Sequence, residues 1–175
     1  QKFIDRAERL KPLGQAEVVL SPRSFRVVLG SPTGRPDALK LEFQCCLGRE
    51  TIVQICNQLS SFLSQVEWLF ISEIPQDELE WEDDADRIPW LELLIPFVSA
   101  KSLHITEKLA PRFAVALQEL TRERVTEILP ALHDMFLEGL QPSGSLWQTI
   151  NPFVSARQFS DHPVVIQRWE RILVS

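Results

Sequence analysis

"KSLHITE", residues 101–107, and "EWLFISE", residues 67–73, follow one outline: two variable residues, Leu, a variable residue, Ile, a hydroxyl residue, Glu. Alternation of this kind has the period of a half-buried β-strand, in which successive side chains point to opposite faces. Leu69 and Ile71, then Leu103 and Ile105, fall on one face. Trp68, Phe70 and Ser72 fall on the other, as do Ser102, His104 and Thr106. "HDMFLEG" (133–139) and "PVVIQRW" (163–169) are further short, β-rich, alternating runs. "ALKLEFQC" (38–45) alternates as well.

Helix-period segments lie between these runs. Ile52, Ile55, Leu59, Phe62 and Leu63 share one helical face. Trp90, Leu91, Leu94, Phe97 and Val98 form a second set, and Leu109, Phe113, Leu117 and Leu120 a third, continued by Val125, Ile128 and Leu129. Leu146, Ile150, Phe153 and Val154 make a fourth. The first apolar residues of the strands, Leu41, Leu69, Leu103, Met135 and Val164, are spaced by 28, 34, 32 and 29 residues. Strand-plus-helix units of roughly 20–29 residues mark leucine-rich-repeat solenoids, and two of the intervals reach that range. "PFVSAK" (96–101) echoed as "PFVSAR" (152–157) adds to the impression of repetition.

The expected fold is therefore α/β: an irregular leucine-rich-repeat-like solenoid. Parallel strands near 39–45, 67–72, 101–106, 133–138 and 163–168 line one face, and helices the other. One such unit cannot bury its own apolar face, and stacking like units does so. An open three-layer α/β sheet is the structural alternative. Residues 1–12 read as a short helix and 16–20 as a short β-rich run. Residues 22–29 read as a short helix begun by Ser21-Pro22, with Val27 and Val28 pulling against it.

Composition sets the outer limits. With 175 residues, the chain is long enough for a single domain with its own core. A net charge of −6 weighs against nucleic acid or an anionic membrane as the main partner. No apolar run approaches the roughly 18 residues that span a bilayer. Cys45, Cys46 and Cys56 are an odd set without framework spacing, which suits reduced thiols in the cytoplasm or nucleus, with at least one buried as a small hydrophobe. The chain starts at Gln1 and its one Met is Met135, so it reads as a piece of a longer protein.

"SPRSFRVVL", "DADRIPWLELLIPF", "KLAPRFAVALQEL", "EILPALHDMFLEGL" and "FVSARQFSDHPVVIQRWER" resemble, in that order, a large group of basidiomycete fungal proteins described as F-box or leucine-rich-repeat-like. The resemblance spans nearly the whole chain. It implies one leucine-rich-repeat-like domain of ribonuclease-inhibitor type over 1–175, with any F-box before residue 1. It also implies a role in recruiting substrates to a ubiquitin-ligase adaptor if that F-box is present, and it carries over no catalytic residue.

Chemistry-bearing patterns are sparse. His104, His133 and His162 recur every 29 residues, but only His133 and His162 share a strand register, which makes a poor metal ladder. The acidic run from Asp77 to Asp86 lacks the order of a calcium loop and reads as a solvated insert. Neither a nucleophile elbow nor a phosphate-cradling glycine loop is present. No cofactor, metal site or catalytic residue is expected. Trp90, Trp147 and Trp169 read as core or helix-start packing. Trp68, Phe70, His104 and Phe136 stand apart, because alternation gathers them on the open sheet face as candidate anchors for a protein partner.

Overall fold

The β-branched and aromatic runs at the amino-terminal end build an antiparallel meander, and the later strand–helix units add to its first strand in parallel. The computed structural model describes residues 14–21, 24–30, 39–44, 49–73, 88–120 and 124–169. The strands are β1 (Gln15–Ser21), β2 (Ser24–Gly30), β3 (Leu39–Gln44), β4 (Trp68–Glu73), β5 (Ser102–Ile105), β6 (Asp134–Glu138) and β7 (Val165–Trp169). The helices are α1 (Arg49–Gln58), α2 (Ser60–Leu63), α3 (Trp90–Leu94), α4 (Ala110–Gln118) and α5 (Ser145–Phe159). The result is a mixed α/β structure around one seven-stranded sheet, ordered β3-β2-β1-β4-β5-β6-β7.

Strands β1, β4, β5, β6 and β7 are successive parallel neighbours. One backbone carbonyl at each strand start serves the next strand. Gly14 accepts from the N–H groups of Glu67 and Trp68, Glu67 from Lys101 and Ser102, and Lys101 from His133 and Asp134. The helix-bearing crossovers from β4 to β7 supply the length that parallel pairing requires. Helices α1, α3, α4 and α5 are neighbours in chain order.

Alternation places the core on one face. Ala16, Leu69, Leu103 and Met135 form one fully buried ladder across the sheet, and Val18, Ile71, Ile105 and Leu137 form the next. Ile52, Leu93, Phe113, Leu117, Ile150 and Phe153 from the helices join the same apolar cluster. Burying each such side chain contributes about 1.5–3 kcal/mol. Val125, Ile128 and Leu129 are buried too, but in turns rather than in a continued helix. Val98, expected on the apolar helical face, is 46% exposed, and Leu93 takes the inward place.

Three expectations are corrected. Residues 24–30 are a strand, not part of a helix over 22–29. Phe25, Val27 and Leu29 alternate inward with period two, and their pairing with β1 outweighs the Ser-Pro signal. Residues 39–44 are a strand that runs in the direction of β4, but it lies at the sheet edge and pairs antiparallel with β2, with Leu41 opposite Val27. The link from β2 is too short for a helical crossover, so the strand returns as a hairpin. The parallel neighbour of β4 is instead β1, and Leu69 lies beside Ala16. At the other end, Ile166 rather than Val164 pairs with Met135. The expected amino-terminal helix, the acidic insert at 76–87 and Cys45 and Cys46 lie outside the described residues.

Arg157 on α5 is a fully buried arginine. Its Nη2 donates to the Leu132 carbonyl at 2.9 Å and its Nη1 to the Val125 carbonyl at 3.4 Å, while its Nε finds no partner. Burial pulls its pKa below the usual arginine value. The side chain holds the turns between α4 and β6 against α5.

Candidate functional site: the open face of the sheet

The face opposite the helices is organised by strand register into rows that cross the parallel strands. The central row runs Glu17, Phe70, His104, Phe136, Gln167. The row nearer the strand starts runs Gln15, Trp68, Ser102, Asp134, Val165. Adjacent strands lie about 4.8 Å apart, so flat rings in one row are brought to stacking distance by the backbone itself. His104 stacks on Phe70 with centroids 4.4 Å apart and on Phe136 with centroids 4.3 Å apart. The interplanar angles are 21° and 9°.

The register thus joins three of the four candidate residues. Trp68 shares their face but lies one row away, 38% exposed. A fourth ring enters from β7: Trp169 meets His104 edge-on at 5.3 Å and 85°. This corrects its expected place in core or helix-start packing. The alternation of "VIQRW" carries the signal, since Trp169 differs by three from the inward Ile166 and so faces the open side. Trp90, by contrast, is core, edge-on to Phe113. Trp147 packs half-buried against the core.

The Nδ1 atom of His104 is buried without a hydrogen-bond partner. Placing the proton on Nε2 avoids a buried N–H with no acceptor, so the neutral ring presents its donor away from the sheet. Burial lowers the His104 pKa below its ordinary value of 6.5, favouring the neutral form.

Polar groups border the rings. The Ser72 hydroxyl donates to Glu17 Oε1 at 3.2 Å, and the Thr106 hydroxyl donates to Glu73. Glu138 accepts the Glu107 backbone N–H at 3.0 Å, and Gln167 donates to Asp134 at 3.4 Å. At the strand starts, Lys101 pairs with Glu67 at 2.7 Å across partly exposed positions. The hydroxyl–Glu endings of the two repeated stretches thus form a polar border beside an aromatic row.

His133 and His162 do not form a pair. Val165 N–H bonds to the His133 carbonyl, whereas His162 precedes β7 and its Nδ1 lies 2.6 Å from the Ser160 carbonyl. Among the described residues, no group of three or more His, Cys, Asp or Glu side chains could hold a metal. Cys56 is buried on α1, far from the rings in the fold, and burial pushes its thiol pKa up to about 11.

A groove of about 1060 Å³ opens on the helix side, between α3, α4 and the turn at 124–128. Its described lining includes Trp90, Glu92, Ile95, Arg112 and Val115, and none of the described lining residues is Ser, Thr, Cys or His. No described helix is long and apolar enough to cross a membrane.

No protein-family model, curated protein or solved structure matches the chain.

Proposed function

We propose that this protein is a non-catalytic interaction module, a leucine-rich-repeat-like solenoid that binds a protein partner through the open face of its sheet. The observation that carries this reading is the Phe70–His104–Phe136 stack, held on three adjacent parallel strands. Pre-ordered aromatic rings lose little conformational freedom on binding and are common anchors at interfaces. Trp68, 38% exposed on the same face, widens the apolar surface. The site works inside the cell, in the cytoplasm or nucleus. In a chain that also carries an F-box, this surface would recruit the substrate of a ubiquitin ligase.

A second reading is a purely structural domain whose open face is covered within a larger assembly. Ser72 and Thr106, near the strand ends of that face, are 5% and 1% exposed within the single chain, so such a cover would have Trp68, at 38% exposed, and the aromatic row left to bury. The two readings part in one experiment. Full-length wild type and Phe70→Ala/Phe136→Ala are used as bait, with folding checked by circular dichroism. Loss of a co-purifying protein from the folded double variant, confirmed with both components purified, supports the interaction face. Unchanged recovery of every partner by that variant removes it.

A further inference from the structure

The stack has two ends, and they differ. His104 uses both of its faces, one on Phe70 and one on Phe136. Each phenylalanine therefore spends one ring face inside the stack. The other face of Phe136 looks toward β7, whose Trp169 already closes on the row edge-on to His104. The other face of Phe70 looks toward β1. The residue in register there is Glu17, which is exposed. Glu17 accepts one hydrogen bond through Oε1, from Ser72, and that bond sits at the long distance of 3.2 Å.

Resting on the interaction-face reading above, we propose that Glu17 and the outer face of Phe70 together form a site for a cationic side chain, an arginine or lysine of a basic partner segment. The face of an aromatic ring attracts a cation, and a carboxylate one strand away supplies the counter-charge. An arginine fits both, since its planar guanidinium stacks on the ring while its N–H groups reach Glu17 Oε2. The surroundings carry the same sign. Asp134 and Glu138 flank Phe136 on the same strand face, and the whole chain carries a net charge of −6. Arg26 on β2 lies opposite Val19, on the far side of β1 from Phe70. The partner's chain would cross the strands, placing its basic residue at the β1 end and apolar residues over the remaining rings.

The test uses the full chain and fluorescein-labelled hexa-arginine, with hexa-glutamate as the comparison peptide, followed by anisotropy at physiological salt. Glu17→Gln keeps the Ser72 hydrogen bond but removes the charge. Phe70→Leu keeps an apolar side chain but removes the ring face. Glu119→Gln, at an exposed site on the helix side, removes the same charge elsewhere. The expected result is that Glu17→Gln and Phe70→Leu each weaken hexa-arginine binding about tenfold, or 1.4 kcal/mol, and that their effects are non-additive. Glu119→Gln should leave it within about twofold of wild type, as for a distant surface charge screened by salt. Equal effects of Glu17→Gln and Glu119→Gln would mean that the peptide senses only overall charge, and would overturn the site. Hexa-glutamate binding as tightly as hexa-arginine would also overturn it. A native partner lost by Phe70→Ala/Phe136→Ala but fully retained by Glu17→Gln would overturn the cation site while leaving the interaction face in place.

Discussion

His104 and Phe136 lie ring to ring, 4.3 Å apart and 9° from parallel, on neighbouring parallel strands paired residue to residue. That separation is set mainly by the sheet, whose strand spacing of about 4.8 Å already brings in-register rings to near contact. The stack is thus a property of register, not of a flexible loop. It places a neutral imidazole between two hydrocarbon rings, with consequences for acid stability.

The first prediction concerns pH. The folded-state pKa of His104 is lowered by burial, so the unfolded chain binds the proton more readily. The stability linked to neutral His104 is fully present above pH 6.5, the unfolded value, and is lost as pH falls through the lower folded value. His104→Phe keeps a flat ring in the stack and removes the titration. Urea unfolding midpoints of wild type should fall from pH 7.5 to pH 5.5 by more than those of His104→Phe. Identical slopes for the two proteins would place His104 in solvent.

The second prediction separates the two sheet faces at adjacent positions. Leu103→Ala removes a fully buried core side chain and should cost about 2–5 kcal/mol. His104→Ala should cost about 1–3 kcal/mol, the scale of two lost ring contacts at about 0.5–1.5 kcal/mol each. Chemical denaturation of both variants checks the order. A larger loss for His104→Ala would contradict the register of β5.

The parallel half of the sheet was legible because β4, β5 and β6 each bury one face only, and a one-residue slip would expose every Leu and Ile. Phe70, His104 and Phe136 followed from the same alternation. The amino-terminal meander was not legible, because Ser21-Pro22 mimics a helix start at the point where the chain instead turns back, and 24–30 pair with the preceding 15–21. The interval between Leu41 and Leu69 looked like a repeat unit, but β3 and β4 are not neighbours: β2 and β1 lie between them in the sheet.

The echo of "PFVSAK" and "PFVSAR" is instructive. Residues 96–101 form the turn into β5, whereas 152–157 lie inside α5. Phe97 and Phe153 are both buried, so each copy supplies an apolar anchor. The last residues diverge: Lys101 pairs with Glu67 at the surface, and Arg157 is buried against backbone carbonyls. A short string cannot state whether its cation meets a carboxylate or a carbonyl, because that depends on which segment packs above it.

Arg157 supplies the third prediction. Arg157→Met keeps an unbranched side chain but leaves the Leu132 and Val125 carbonyls without their donor. An unsatisfied buried acceptor costs about 1–3 kcal/mol, so a loss of that order is expected. Hydrogen exchange should quicken first in the 124–133 turns. A variant as stable as wild type would show that water replaces the guanidinium.

Gly139 gives the fourth. Its φ is +72°, and a Cβ there would stand 2.8 Å from Glu107 Cγ. Gly139→Ala meets both an unfavourable backbone region and a crowded side chain, and should cost about 1–2 kcal/mol. Gly139→Ala with Glu107→Ala relieves the crowding but not the backbone, so the pair should recover only part of the loss. Thermal unfolding of the single and double variants measures that share. Complete recovery would assign the whole cost to Glu107.

The fifth prediction uses Cys56 as a reporter of α1. Its side chain is 2% exposed, and burial pushes the thiol up to about 11, so little thiolate forms at pH 7.5. Thiolate is the reactive species, and both low ionisation and lack of access therefore protect it. In a Cys45→Ser/Cys46→Ser background, a disulfide reagent should label Cys56 slowly in buffer and rapidly in denaturant. If labelling follows global unfolding, the rate should fall in proportion to the population of unfolded chain as stability rises. If α1 opens by itself, the rate should be indifferent to Leu103→Ala, which weakens the parallel core. Fast labelling in buffer, equal to that of a free thiol, would contradict the burial of Ile52, Ile55 and Cys56 on one helical face.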